Sequence, residues 1–290
     1  MNWSVIEKNI AKQTGKAFII DSRSSLGGGC INEAWHISGL GQEYFVKINV
    51  VARLAMFEAE REGLDAMCQT DSIRIPHTIV SGTCGPNAYL VLEYISLQGH
   101  GQTEEMGRQL ARMHQSTQSC FGWHRNNTIG STEQVNEPEH DWLAFWREKR
   151  LGFQTRLAAN KGLDKKNLLL CEQLADCLPA LLDHQPQPSL LHGDLWSGNA
   201  AYDAQGNPVI FDPASYYGDR EADLAMTELF GGFSSRFYSA YQELWPLDEA
   251  YRVRKILYNQ YHILNHYNLF GGSYGDQAGR MAAQVIAECR

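Results

Sequence analysis

The segment Leu190–Asn199, LLHGDLWSGN, constrains this chain more than any other part of it. Asp194 and Asn199 follow an apolar pair, and Asp212 lies 18 positions after Asp194, behind a second apolar run. Phosphoryl transfer needs a carboxylate to accept the proton of the attacking hydroxyl and oxygen ligands to hold Mg²⁺ between the phosphates. Each residue alone would indicate a turn or a helix cap. Together they predict a phosphotransferase, with Asp194 as the catalytic residue and Asn199 and Asp212 as ligands of Mg²⁺.

A lysine inside an apolar strand is the next candidate. Lys47 lies in the string FVKIN, where an ammonium group is costly unless it meets an anion. We predict that Lys47 contacts the phosphates of ATP and is held by Glu60 on the following helix, with Glu58 as the alternative. A solubility charge on an edge strand is the competing interpretation.

A glycine turn precedes this strand. Gly27, Gly28 and Gly29 have no Cβ, so their backbone N–H groups can approach phosphates closely. The turn matches neither common phosphate-loop pattern, and a flexible hairpin is the alternative. Cys30 follows the turn, and we predict that its oxidation inhibits the protein, unless it is an unreactive strand residue.

The residue pattern of the chain changes near residue 95 from one typical of strands to one typical of helices. We predict a small β-rich lobe at 1–95, with one helix at Ala52–Cys68, and a larger, mainly helical lobe at 96–290. Glu93 and Ile95 end the last strand of the small lobe, where backbone groups could bind the adenine of ATP or simply close the strand. Residues 117–138 form the longest predicted loop, and two short strands are expected at Leu190–Leu191 and Val209–Phe211. The strands predicted in the small lobe are Ala17–Asp21, Cys30–Ile37, Tyr44–Val50, Thr78–Val80 and Ala88–Ile95.

Composition excludes several classes of protein. The 290 residues carry 25 Lys and Arg against 33 Asp and Glu, a net charge of −8, which argues against a nucleic-acid binder held by bulk charge. No apolar run is long enough to span a bilayer, and nothing at the N-terminus marks the chain for export. Seven scattered cysteines without CxxC pairs are typical of reduced thiols, so we expect a cytoplasmic protein.

The motif HGDxxxxN resembles the catalytic loop of protein kinases, although Gly193 replaces an arginine and Pro213 follows the metal-binding aspartate. From about residue 15 to 285 the chain resembles the fructosamine/ketosamine-3-kinases, within the aminoglycoside-phosphotransferase and choline-kinase-like group of protein-kinase-fold enzymes. The strings that carry the resemblance are GGGCIN, FVKIN, MFEAE, LLHGDLWSGN, FDPASYYGDREADLAMTELFGG and LNHYNLFGGSY.

This resemblance implies an α+β, protein-kinase-like two-lobed fold and ATP- and Mg²⁺-dependent phosphorylation of the 3-hydroxyl of ketoamines, which leads to deglycation. Trp196 would stack on the sugar, or else pack in the core. One carboxylate of Asp219, Glu221 and Asp223, in first place Asp219, would face the ketoamine nitrogen, or would instead cap a helix or pair with Arg220.

Two alternatives stay open. One is a kinase of another small hydroxyl compound, such as an aminoglycoside or choline. The other is a nucleotide-binding regulator without catalysis. The sequence does not choose among fructosamine, ribulosamine and erythrulosamine, or between free and protein-bound acceptors.

Overall fold

The structure is a computed structural model that describes residues 1–27 and 31–289. The described helices are α1 (Trp3–Thr14), α2 (Leu54–Cys68), α3 (Thr103–His114), α4 (Trp142–Phe145), α5 (Gly152–Asn160), α6 (Lys165–Leu181), α7 (Arg220–Leu229), α8 (Ser235–Leu244), α9 (Tyr251–Phe270) and α10 (Tyr274–Glu288). The described strands are β1 (Ser22–Leu26), β2 (Glu33–Gly39), β3 (Gln42–Val50), β4 (Thr78–Cys84), β5 (Asn87–Glu93), β6 (Asn127–Ile129), β7 (Thr132–Gln134), β8 (Ser189–Leu191), β9 (Ala200–Tyr202), β10 (Pro208–Ile210) and β11 (Tyr216–Gly218).

The chain forms two compact units. The first contains Met1–Gln102 and Ala201–Asp212, and the second contains Thr103–Ala200 and the chain from Pro213 onward. The first unit therefore extends beyond the boundary predicted at residue 95 and includes a distant segment that was not foreseen. The reason is backbone pairing, because Gln98 and Tyr202 exchange N–H···O bonds of 2.8 and 3.0 Å.

A five-stranded antiparallel sheet in the order β1-β2-β3-β5-β4 forms the first unit's framework. β3 is the central strand, and its Lys47 lies opposite Ala34 of β2 and Leu90 of β5. The side chains of β5 are almost all buried, so both faces of the sheet are covered along this apolar run. The sheet therefore holds Lys47 in its interior rather than at an edge.

The N-terminal helix α1 was not predicted. It buries only Ile6 and Ile10, which pack with Ile37 and Val46 of the sheet, so its apolar stripe is too narrow to stand out in the sequence. The strand predicted at Ala17–Asp21 is wrong. The true strand is β1, a polar and exposed edge strand that pairs with β2 alone.

The second unit is mainly helical and is arranged around α9, which is buried along most of its length and packs against α5, α7 and α10. The predicted strands at Leu190–Leu191 and Val209–Phe211 are confirmed as β8 and β10. The predicted loop at 117–138 instead contains the hairpin β6–β7, whose three-residue strands are too short to give a periodic pattern. These elements confirm the α+β class with a β-rich N-terminal part. In the described part of the chain, no helix is long and apolar enough to cross a membrane.

Ile10→Ala should lower the free energy of unfolding by about 2–4 kcal/mol, because it removes a fully buried side chain from the contact between α1 and the sheet. Urea denaturation followed by tryptophan fluorescence measures this loss. Lys12→Ala, on the exposed face of the same helix, is the control and should change stability by less than about 0.5 kcal/mol. Equal losses in the two variants would contradict the packing of α1 on the sheet.

Candidate active site

A buried carboxylate fixes the start of the catalytic loop, the segment His192–Asn199. Asp223 of α7 accepts hydrogen bonds from the backbone N–H groups of His192 (2.7 Å) and Gly193 (2.8 Å). His114 of α3 donates from Nε2 to the same carboxylate (3.1 Å), and its Nδ1 lies 2.8 Å from the Tyr241 hydroxyl. Burial opposes the charge of Asp223, which is 1% exposed, but the bonds from His114 and the backbone hold its pKa below the usual value. The loop thus begins at an ionised, fully enclosed anchor.

Gly193 explains the departure from the protein-kinase motif. Its φ is +83°, and a Cβ at this position would lie 2.1 Å from the carbonyl oxygen of Ala214. The Ala214 N–H in turn donates to the carbonyl oxygen of His192 (2.8 Å). An arginine therefore cannot replace Gly193 unless the chain after Pro213 moves away.

The predicted catalytic residue lies on this loop. Asp194 is half-buried, and its N–H donates to Nδ1 of the buried His192 (3.2 Å). Asn199, 7% exposed, donates from Nδ2 to the backbone oxygen of Asp194 (2.9 Å) and to its carboxylate (3.3 Å). His192 thus supports the loop. Because the Nδ2 end of Asn199 faces Asp194, the amide oxygen Oδ1 is the atom suited to a metal ion.

Trp196 lies at the surface of the same loop. Its side chain is 37% exposed, and its ring lies over Gly198, where a Cβ would come within 2.3 Å of the indole. The alternative of a core tryptophan does not match this exposure. The position is compatible with the predicted contact to a sugar.

Of the positions predicted for Asp219, beside the ketoamine nitrogen, at a helix cap or paired with Arg220, the structure shows the helix cap. It is buried and caps α7 by accepting a bond from the Glu221 N–H (3.0 Å). Its second oxygen accepts bonds from His184 Nε2 (2.7 Å) and the Tyr258 hydroxyl (2.5 Å). Burial opposes ionisation, yet these bonds lower the pKa of Asp219. The predicted direct contact with substrate does not fit this position, whereas the helix-cap alternative does.

The first unit contains the candidate phosphate-binding cation. Lys47 is 5% exposed and donates to Glu60 (2.6 Å) and to Asp212. Burial alone would lower the pKa of Lys47, but the carboxylates of Asp212 and Glu60 raise it above its usual value. Glu60, rather than Glu58, is therefore the helix carboxylate that Lys47 contacts. Asp212 has a φ of +58°, a conformation that a non-glycine residue adopts at some cost and that is common at functional sites.

The other predicted nucleotide contacts also belong to the first unit. The Glu93 carboxylate accepts bonds from Arg74 (2.6 Å) and the His77 N–H (3.2 Å), so it ties the end of β5 to its neighbours. Among the described residues, no acceptor is found for the Ile95 N–H. Gly27 directly follows β1, and no atom of the described residues outside its chain neighbours lies within 4 Å of the position that a Cβ would take there. Gly28, Gly29 and Cys30 lie outside the described residues.

An amide network that the sequence did not reveal braces the chain after Pro213. Asn127 donates to the Ser215 carbonyl (2.8 Å), and Gln134 donates to the Ala214 carbonyl (2.9 Å). Gln134 also accepts a bond from the Tyr261 hydroxyl (2.7 Å). The hairpin β6–β7 therefore fixes the Ala214 carbonyl, which packs against Gly193.

A buried arginine holds this hairpin. Arg150 donates to the Val135 carbonyl (2.6 Å) and the Asn136 amide oxygen (2.7 Å), and its guanidinium carbon lies 4.0 Å from the centre of the Tyr216 ring. No carboxylate among the described residues forms an ion pair with it. Arg150 lies in a π-helix, Trp146–Leu151, a rare geometry that is frequent at functional sites.

Comparisons with known proteins match nearly the whole chain to one family of kinases. The family model described as "Fructosamine kinase" matches residues 2–288. A relative from Synechocystis, named as a ketoamine kinase, is 46% identical over 98% of this chain and 97% of its own length. A crystal structure described as a fructosamine-3-kinase from Haemophilus somnus 129PT has a TM-score of 0.90, with 31% identity over 98% of this chain and 97% of that one.

A more distant structure, a choline kinase from Streptococcus pneumoniae, has a TM-score of 0.65 and 15% identity, and covers 98% of each chain. This likeness shows the fold alone. The predicted protein-kinase-like fold class is confirmed.

Gly193→Ala should lower kcat/KM about 10²-fold, because the new methyl group meets the Ala214 carbonyl and moves the loop that carries Asp194. Steady-state kinetics measures this loss. Gly162→Ala is the matched control, because Gly162 has a φ of +82° but nothing within 4 Å of an added Cβ. It carries the same backbone strain without the clash and should keep nearly full activity. Similar activities in the two variants would contradict the proposed packing of the loop.

Proposed function

Because the chain belongs to the fructosamine kinase family, we propose that it is an ATP-dependent kinase that phosphorylates the 3-hydroxyl of ketoamines, the adducts that sugars form with amines. The single observation that carries the proposal is the placement of Asp194 on a loop anchored by a buried carboxylate and braced by Asn199. A carboxylate held in this way can orient an alcohol and accept its proton. The name of the Synechocystis relative and the description of the Haemophilus structure support ketoamines as the acceptor class.

We assign the nucleotide contacts to the first unit. Lys47, held by Glu60, would meet the phosphates of ATP, since the lysine is buried and fully charged. The backbone of Gly27–Gly29 would approach the same phosphates. Backbone groups of Glu93 and Ile95 would bind adenine.

We assign Mg²⁺ to Asn199 and Asp212, and the chemistry of these two side chains fits the ion. The amide oxygen of Asn199 and the carboxylate of Asp212 are hard oxygen ligands of the kind this ion prefers. Asp212 is oriented by Lys47 and its side chain is 45% exposed, so it can reach a ligand. Bound Mg²⁺ would neutralise charge on the phosphates.

Trp196 would lie against the sugar of the acceptor. We assign Asp219 a positioning role, because it caps the helix that carries Asp223 and is not exposed to a ligand. We place the protein in the cytoplasm, a proposal supported by the described cysteines, which are free thiols.

Asp194→Asn should lower kcat by about 10²–10⁴-fold, because the amide cannot accept the proton of the substrate hydroxyl, while ATP affinity should stay within about twofold. A coupled assay of ADP release, run with fructosamine, ribulosamine and erythrulosamine at varied Mg²⁺, tests both the phosphorylation of ketoamines and the role of Asp194. Asp183→Asn, at an exposed carboxylate of the same unit, is the control and should match the wild type.

Two results would contradict the proposal. Full turnover by Asp194→Asn would remove Asp194 from the mechanism. Wild-type activity on aminoglycosides, choline or unmodified sugars alone would replace ketoamines with another acceptor class.

A further inference from the structure

Two copies of the string LFGG end two helices of the second unit. Leu229–Gly232 closes α7 and Leu269–Gly272 closes α9, and both glycines of each copy have positive φ values. Such glycines stop a helix abruptly. Each copy therefore places a phenylalanine, Phe230 or Phe270, at the end of its helix.

The ring of His266 lies between these two phenylalanines. Its centre is 4.9 Å from the Phe230 ring, 5.7 Å from the Phe270 ring and 5.1 Å from the Tyr274 ring. Trp196 of the catalytic loop meets Phe230 edge to face at 6.1 Å. We call these five rings the aromatic patch: Trp196, Phe230, His266, Phe270 and Tyr274.

The aromatic patch is partly open to solvent, and its members Phe230, His266 and Tyr274 are half-buried. Phe270 is 57% exposed, and Trp196, two positions after Asp194, is exposed as well. Exposed and half-buried rings in continuous contact are typical of a binding surface rather than of a closed core. Its link to the catalytic loop indicates that its ligand is part of the acceptor.

The electrostatics of the aromatic patch favour a cation. His266 donates from Nδ1 to the His262 carbonyl (2.8 Å), so the neutral form of the ring has its acceptor nitrogen at Nε2. Burial lowers the pKa of His266, so the imidazole adds no positive charge near pH 7. The faces of the other rings carry negative electrostatic potential, which attracts ammonium groups.

We propose that the aromatic patch binds the secondary ammonium group and the adjoining alkyl stem of a glycated lysine side chain. The ammonium group lies over the ring faces, and the four-carbon stem covers their apolar edges. This inference rests on the proposed function, because a ketoamine on lysine is the acceptor that carries such a cation beside the sugar.

A matched pair of substrates tests the inference. The first is the ketoamine of Nα-acetyl-lysine amide. The second is its thioether analogue, in which sulfur replaces the linking nitrogen and removes the charge. Phe270→Leu and Tyr274→Leu should each raise the KM of the ketoamine about 3- to 10-fold, with kcat and the KM of ATP unchanged. The KM of the thioether should stay within about twofold of the wild-type value.

Two further variants complete the design. Phe270→Tyr keeps an aromatic face and should restore the wild-type KM of the ketoamine. Leu169→Ala removes an exposed apolar side chain that does not belong to the patch, and should have no effect.

Three results would overturn the inference. Equal increases in KM for both substrates would reduce the patch to apolar packing, and unchanged values in both leucine variants would remove it from the acceptor site. In both cases the wild type still phosphorylates the ketoamine, so the proposed function stands. If the wild type phosphorylates neither substrate, the proposed function fails first and the inference with it.

Discussion

The hydrogen bonds from two successive backbone amides to Asp223 are the interaction on which the second unit's chemistry depends. A carboxylate inside a protein is stable only when its desolvation is offset by several donors. Here His192, Gly193 and His114 supply them, and the loop's conformation is fixed at its first two residues. The position of Asp194 follows from this anchor and from the bracing by Asn199.

The chain after Asp212 is held by amides rather than by charges. Asn127 and Gln134 bind two consecutive carbonyls, and Arg150 fixes the hairpin that carries them. Buried amide networks of this type specify one arrangement, because each donor left without a partner would cost about 1–3 kcal/mol. Two independent networks thus meet at one backbone contact, the approach of Ala214 to Gly193.

Sequence patterns predicted those features that depend on a few residues of unusual type. Lys47 was recognisable because a charge interrupts an apolar strand, and its contact with Glu60 follows from one strand and the next helix. Helix α1, the edge strand β1 and the hairpin β6–β7 were missed. The apolar stripe of α1 is narrow, β1 is polar, and the strands of the hairpin are too short to show a periodicity. The helix cap formed by Asp219 was one of the alternatives that the sequence left open.

The residues that support the site were the hardest to foresee. His114 acts through Asp223, which lies about a hundred residues further along the chain. Arg150 lies in a π-helix. Neither feature produces a residue spacing that the sequence would reveal. The density of Asn and Gln between residues 126 and 136 was a signal in the sequence, because amides that are buried need hydrogen-bond partners.

The glycine at position 193 also has a regulatory consequence. Kinases that are switched on by phosphorylation order a segment through new pairs between arginine and phosphate. Glycine has no side chain that could form such a pair at position 193, and the Ala214 carbonyl leaves no room for one in this conformation. Asp223 already holds the start of the loop through two backbone bonds, so this conformation needs no contact between an arginine and a phosphate at position 193.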